Sequence, residues 1–109
     1  MIHDQNLFTS LLEAARKIEP EVRKGSMFGC PAIYNGRKLA ACVVDVAVGL
    51  RIPAPVAQAA LEAKRVTAFE PHGKVKMQEW VQINGGASAL AANIDFLQAA
   101  IEYAETNNG

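Results

Sequence analysis

Apolar residues recur at three- and four-residue spacing near the start of the chain. This spacing predicts a helix from Asp4 to about Ile18 with one face on a core. Asp4 is suited to the N-cap. Pro20 ends the helix because it lacks an amide hydrogen and disfavours helical geometry at Glu19. The stripe consists of Leu7, Phe8, Leu11, Leu12, Ala15 and Ile18.

Residues 25–52 change to a pattern that favours strands, with aromatic and β-branched residues separated by Gly, Pro and Asn. Asn35-Gly36 predicts a tight hairpin turn between strands at 32–34 and 39–44, because both residues tolerate positive φ. A second turn is predicted at 45–47, where Asp45 interrupts the apolar run. The strand at 48–52 then alternates, with Arg51 on the face opposite the core.

The second half of the chain predicts one Ala-rich helix at 56–64, strands at 66–69 and 75–83, and a last helix. Alternation places Trp80 on a mostly polar face of its strand. The aromatic residues Phe96 and Tyr103 lie outside the apolar seam of the last helix. The helix therefore has more apolar surface than packing against one element of the fold needs. The seam consists of Leu90, Ile94, Leu97, Ile101 and Ala104.

Together these elements predict an α+β fold built as a two-layer sandwich. The expected order is α-β-β-β-α-β-β-α, with a five-stranded antiparallel sheet. A chain of 109 residues fits a single domain, 1–109, with residues 1–3 and 106–109 as frayed ends.

The charge balance does not point to a partner, since 11 Lys and Arg offset 11 Asp and Glu. Residues 1–76 carry a net +4 and residues 77–109 a net −4. Nucleic-acid binders usually have a larger basic excess, so nucleic-acid contact ranks last among the functions considered. The cations that would make such an accessory contact are Arg23, Lys24, Arg37 and Lys38.

Cysteine use and the polar N-terminal residues indicate a cytoplasmic protein. Cys30 and Cys42 lack paired C-x-x-C spacing, and residues 3–6 are unlike a signal peptide. No apolar run reaches the length of a membrane span. We therefore expect a soluble chain without membrane contact, metal site or cofactor.

Catalytic chemistry has little support in the residue pattern, and no catalytic residue is assigned. His72 lies in a turn between two strands, and no phosphate loop or nucleotide fingerprint occurs. Cys30 is either a reactive thiol near Arg23 and Lys24 or a small buried residue. Trp80 either anchors a partner or packs under the last helix.

Several short motifs resemble the TfoX N-terminal domain-like family. Met27-Phe28-Gly29, followed by Ile33-Tyr34, is similar to that family's entry into its first hairpin. The two strands joined by an Asp-centred turn at 39–52, Phe69 and Glu79-Trp80 are similar too, over about residues 7–104. Cys30 and Ala32 stand where glycines are usual.

The resemblance implies a two-layer α+β domain that is frequently a dimer, found alone or in bacterial regulators of DNA uptake competence. Our leading hypothesis is a non-enzymatic binding or regulatory module that works as a homodimer or larger homo-oligomer with an unknown protein partner. The alternative is a small redox or ligand-processing enzyme that uses Cys30. The candidate residues for partner or ligand binding are Phe28, Cys30, Arg51, His72 and Trp80.

Overall fold

A computed structural model describes residues 4–27, 29–69 and 78–106. The order of the helices and strands in these residues is α1 Gln5–Ile18, β1 Arg23–Met27, β2 Cys30–Asn35, β3 Lys38–Val44, β4 Ala47–Arg51, α2 Ala54–Glu62, β5 Thr67–Ala68, β6 Trp80–Ile83, α3 Gly86–Ala92 and α4 Ile94–Thr106.

The ends of α1 confirm the prediction from its apolar stripe. Asp4 is the N-cap, and its carboxylate accepts a hydrogen bond of 3.0 Å from the amide of Leu7. This bond satisfies one of the donors that the first turn of a helix leaves without a partner. The helix ends at Ile18, and Pro20 lies in the turn that follows.

The described strands form one open antiparallel sheet in the order β1-β2-β3-β4-β6-β5. Asn35 pairs with Lys38, so the first predicted turn is centred on Gly36-Arg37, one residue later than expected. Gly36 has a φ of 66°, as the first central residue of a tight hairpin turn requires. Asp45, with a φ of 55°, begins the second turn as predicted.

Two features of the predicted order are wrong. The described sheet has six strands, because β1 pairs along its whole length with β2 although its residues show no apolar alternation. The predicted last helix is divided at Asn93 into α3 and α4. The Asn93 side chain donates to the carbonyl of Ala89, and Arg65 donates to both Asn93 and Asp95 across the break. Apolar spacing continues through Asn93, so the division is not visible in the sequence.

The sheet is packed on both faces. One face carries the helix-side core, which includes Ile33, Val43, Leu50 and Val81 and receives buried residues from all four described helices. The opposite face carries the outer cluster, which consists of Ala32, Cys42, Phe69 and Trp80. Within the described residues the outer cluster contains no helical side chain.

Asn35 joins the end of β2 to α4 on the helix side. Its side chain is buried, and its amide nitrogen donates to the carbonyl of Ile101 at 3.0 Å. A buried amide without a partner would be costly, so this contact favours one position of α4 on the sheet.

The helices of the described residues are short. The longest has 14 residues, and none combines the length and apolarity needed to cross a membrane. We expected Thr106 to lie in a frayed end, but it is the last residue of α4. The other residues predicted to be frayed, 1–3 and 107–109, lie outside the described ranges. Residues 75–77, the first part of the strand predicted at 75–83, also lie outside the described ranges.

We predict that Gly49→Ala lowers the free energy of unfolding by about 1–3 kcal/mol, because a close-packed interior resists added atoms. The new Cβ would lie 2.7 Å from a ring carbon of Phe69 and 3.0 Å from the sulfur of Cys42. Urea denaturation measures the change.

The loss should be smaller when Gly49→Ala is introduced into a Phe69→Leu background, because the smaller side chain leaves room for the methyl group. Equal unfolding midpoints for Gly49→Ala and the unchanged protein would contradict the close contact.

Candidate binding surfaces

The structure places three of the five candidate residues, Cys30, Arg51 and Trp80, on strands of the sheet. Cys30 begins β2, whereas Arg51 and Trp80 are paired at the far ends of β4 and β6. Strand alternation puts Cys30 and Trp80 on the face opposite the helix-side core but does not bring them together. Arg51 ends β4, and its guanidinium reaches Tyr103 of α4. Phe28 and His72 lie outside the described residues.

Trp80 packs inside the molecule, on the side of the sheet away from the last helix. Its ring stacks on Phe69 with 5.1 Å between centroids and an interplanar angle of 28°. Trp80 is 6% exposed and Phe69 is 1% exposed. Gly49 makes the burial of Phe69 possible, because the ring of Phe69 occupies the space that a side chain at position 49 would fill. The geometry therefore favours a role for Trp80 in folding.

Arg51 belongs to a polar network that links β4, the turn before β6 and α4. Its guanidinium donates to a carboxylate oxygen of Glu79 at 3.0 Å and lies 5.2 Å from the centre of the Tyr103 ring. The hydroxyl of Tyr103 donates to the other oxygen of Glu79. Arg51 is thus engaged within the chain, where the sequence pattern had predicted solvent or a partner.

The network lowers the pKa of Glu79 below its usual value. The hydrogen bond from Tyr103 is the main cause; the hydrogen bond and positive charge of Arg51 lower it further, and partial burial opposes both. Because the carboxylate is favoured in the folded state, the network stabilises the fold at neutral pH.

The surroundings of Cys30 disfavour its thiolate form. Burial raises the pKa of Cys30, and the negative charge of Asp45 raises it further. Burial also raises the pKa of Cys42 to about 12, with a further contribution from Cys30 that outweighs a backbone hydrogen bond involving Gly49. Nucleophilic chemistry requires the thiolate. The shift at Cys30 is therefore opposite to the one that the enzyme hypothesis needs.

The four cations proposed for nucleic-acid contact gather at one corner of the sheet. All are exposed, and the register places Arg23 beside Tyr34 and Lys38 beside Asn35 at neighbouring strand ends. Arg23 also donates to the carbonyl of Gly36 at 2.6 Å. Alternation along β1 directs Arg23 and Lys24 to opposite faces, so the four cations do not form one continuous basic surface.

A groove between α1 and α3 was not predicted from the sequence. It has a volume of about 500 Å³, within the range of ligand and side-chain pockets. The apolar wall residues are Ala14, Ile18, Ala87, Leu90, Ala91 and Ile94, and the polar ones are Ser10, Glu13 and Lys17.

Ile94 is the exposed apolar residue of this α1–α3 groove, with 41% of its surface open to solvent. The sequence pattern assigned Ile94 to the core seam of a single last helix. The break at Asn93 changes that assignment, because Ile94 becomes the first residue of α4. A second stripe on α1, formed by Ser10, Ala14 and Ile18 at spacing of four, is the signal that could have indicated the groove.

Comparison of the chain with models of protein families, with curated proteins and with solved structures finds no match. In the part of the chain that the structure describes, no group of three or more His, Cys, Asp or Glu side chains could hold a metal ion. The surfaces themselves are therefore the basis for a functional proposal.

We predict that Trp80→Ala lowers the free energy of unfolding by about 3–5 kcal/mol, the usual cost of truncating a large core side chain. The cause is the loss of the buried stack on Phe69. Chemical denaturation measures the loss, with Val46→Ala as a control because Val46 is 66% exposed in a turn. Wild-type stability in Trp80→Ala would contradict the assignment of Trp80 to the core.

We also predict that the stabilisation by Glu79 depends on pH. Its folded pKa is depressed, so the contribution is present above the unfolded glutamate pKa of about 4.3 and is lost as pH falls through the lower folded value. Glu79→Gln should therefore lose less stability than the unchanged protein when the pH is lowered through this window.

Tyr103→Phe tests the cause of the shift, because it removes the hydrogen bond that lowers the pKa of Glu79 most. Carboxyl NMR titration should then show the pKa of Glu79 closer to its ordinary value. An unchanged titration of Glu79 in Tyr103→Phe would contradict the network.

Proposed function

We propose that this chain is a non-enzymatic binding and regulatory module that self-associates through the α1–α3 groove. The observation that carries the proposal is the exposed Ile94 beside an apolar groove of about 500 Å³. Fully burying an exposed aliphatic side chain of this size contributes about 1.5–3 kcal/mol. Ile94 is 41% exposed, so covering it contributes less than half of this amount. A partner that covers Ile94 and fills the groove would gain this contribution together with that of the groove walls.

A second copy of the chain suits this groove because its charged residues are self-complementary. Glu13 and Lys17 lie one helical turn apart on α1, and both line the groove. In a twofold dimer, residue i of one copy meets residue j of the other, and j meets i in return. Two antiparallel α1 helices would therefore place each Glu13 near the Lys17 of the other copy, without like-charge contacts.

The resemblance to the TfoX N-terminal domain-like family supports the same proposal. That family is frequently dimeric and includes domains of competence regulators. The motifs that carry the resemblance lie around the first hairpin, at 39–52, at Phe69 and at Glu79-Trp80, and the residues found to line the α1–α3 groove include none of them. The resemblance and the groove are thus independent supports for a self-associating module.

We predict that Ile94→Asp raises the dissociation constant of the dimer at least about tenfold, because the interface would have to bury a carboxylate. Sedimentation velocity over a range of protein concentrations measures the effect. Val46→Asp is the matched control, since Val46 is also an exposed aliphatic residue but lies in the β3–β4 turn.

Charge exchange tests the twofold arrangement directly. Glu13→Lys and Lys17→Glu should each weaken association about two- to fivefold, as rim charges do, and the double variant should recover the original affinity. A chain that sediments as a monomer at every concentration would overturn the proposal. A dimer that tolerates Ile94→Asp would place the interface elsewhere.

A further inference from the structure

The edge strand β1 and the side of α1 next to it form a second surface. β1 is the first strand of the sheet order, and within the described residues it pairs only with β2. Its first four residues are exposed and Met27 is half-buried. The outer side of an edge strand presents amide and carbonyl groups to which another extended chain can add.

A groove of about 440 Å³ separates α1 from β1. Phe8 and Leu12 line it and are half-buried, with one side packed against the helix-side core. Thr9 supplies a hydroxyl on the same wall. The groove therefore offers an apolar floor next to β1, whose outer edge carries no strand among the described residues.

The register of β1 determines which side chains of an added strand would enter this α1–β1 groove. Lys24 is paired with Ile33, which belongs to the helix-side core, so Lys24 is on the helix side of the sheet. It is also one of the residues that line the groove. Strand side chains alternate between faces, so every second side chain of an added strand would lie against α1.

The charge of the α1–β1 groove indicates what kind of peptide strand it would bind. Arg16 and Lys24 line it together with one acid, Glu13. A second β1 does not complement this positive charge, because β1 carries Arg23 and Lys24 and contains no acidic residue. A strand that carries both carboxylates and apolar side chains on the face turned towards α1 complements this lining.

We infer that β1 and the α1–β1 groove bind an acidic, extended peptide segment of a partner protein. The segment adds to the sheet as a seventh strand beside β1. Among its side chains that face α1, the apolar ones contact Phe8 and Leu12, and the carboxylates lie near Arg16 and Lys24. Main-chain hydrogen bonds give affinity, and the groove gives selectivity for acidic, apolar sequences.

This binding is separate from self-association. The α1–α3 groove lies on the other flank of α1, and among the described residues only Glu13 lines both grooves. A dimer that buries Ile94 leaves β1 at the edge of the sheet. The chain would then present one peptide site in each copy, and two linked segments of a partner could bind a dimer with increased avidity.

The test is an NMR titration of the ¹⁵N-labelled chain with the acetylated, amidated octapeptide Val-Thr-Asp-Thr-Val-Thr-Asp-Thr, in which the valines and aspartates share one face of the strand. Amide signals of Arg23–Met27 and of the Phe8–Leu12 flank should shift. Lys24→Glu and Arg16→Glu should each weaken binding about tenfold, the effect of losing one hydrogen bond to a charged group. Lys64→Glu, the same charge change at the end of α2, should leave affinity unchanged.

Two further peptides make the inference falsifiable. A peptide with lysine in place of aspartate should not bind, and one with alternate backbone amides methylated should lose affinity because it cannot pair with β1. No shift at millimolar peptide, equal binding of the lysine or methylated peptide, or shifts confined to residues around Ile94 would each overturn it. Circular dichroism of each variant establishes that an observed loss is not unfolding.

Discussion

The contact between Phe69 and Gly49 is the interaction on which the rest of the fold depends. Helices cover one face of the central strands, and an aromatic ring lying directly on the backbone of β4 helps to bury the other. Trp80 then stacks on Phe69. Burial on both faces explains why β3 is an almost continuous apolar run, which an antiparallel strand with one face in water would not be.

Polar contacts then hold the helices in place on this doubly packed sheet. Asn35 fixes the C-terminal half of α4 through the carbonyl of Ile101, and Tyr103 joins the same helix to Glu79. Phe96 lies under the guanidinium of Arg65, which is 4.4 Å from the centre of its ring. The apolar surplus of α4 is therefore largely used inside the molecule. The flanks of α1 are left to provide the two grooves.

The two flanks of α1 differ in chemistry although they belong to one helix. Towards α3, Glu13 and Lys17 balance each other beside small apolar residues, a composition that suits a second copy of the same surface. On the flank towards β1, the two cations Arg16 and Lys24 outnumber the one acid, Glu13, beside the edge strand. The proposed self-association and the inferred recognition of an acidic peptide are thus compatible with each other, and neither requires the thiol of Cys30.

Residue types and their spacing in the sequence determined α1 with its Asp4 cap and the presence of both hairpin turns. They also determined the alternation that directs Val81 and Trp80 to opposite faces of the sheet. Those features depend on residues close together in the chain. The tertiary structure alone decided that β1 is a strand, since it forms by pairing with the backbone of β2, and that the last helix breaks where Arg65 holds Asn93. It also decided what covers Trp80 and where α1 leaves grooves, because both depend on packing between elements distant in sequence.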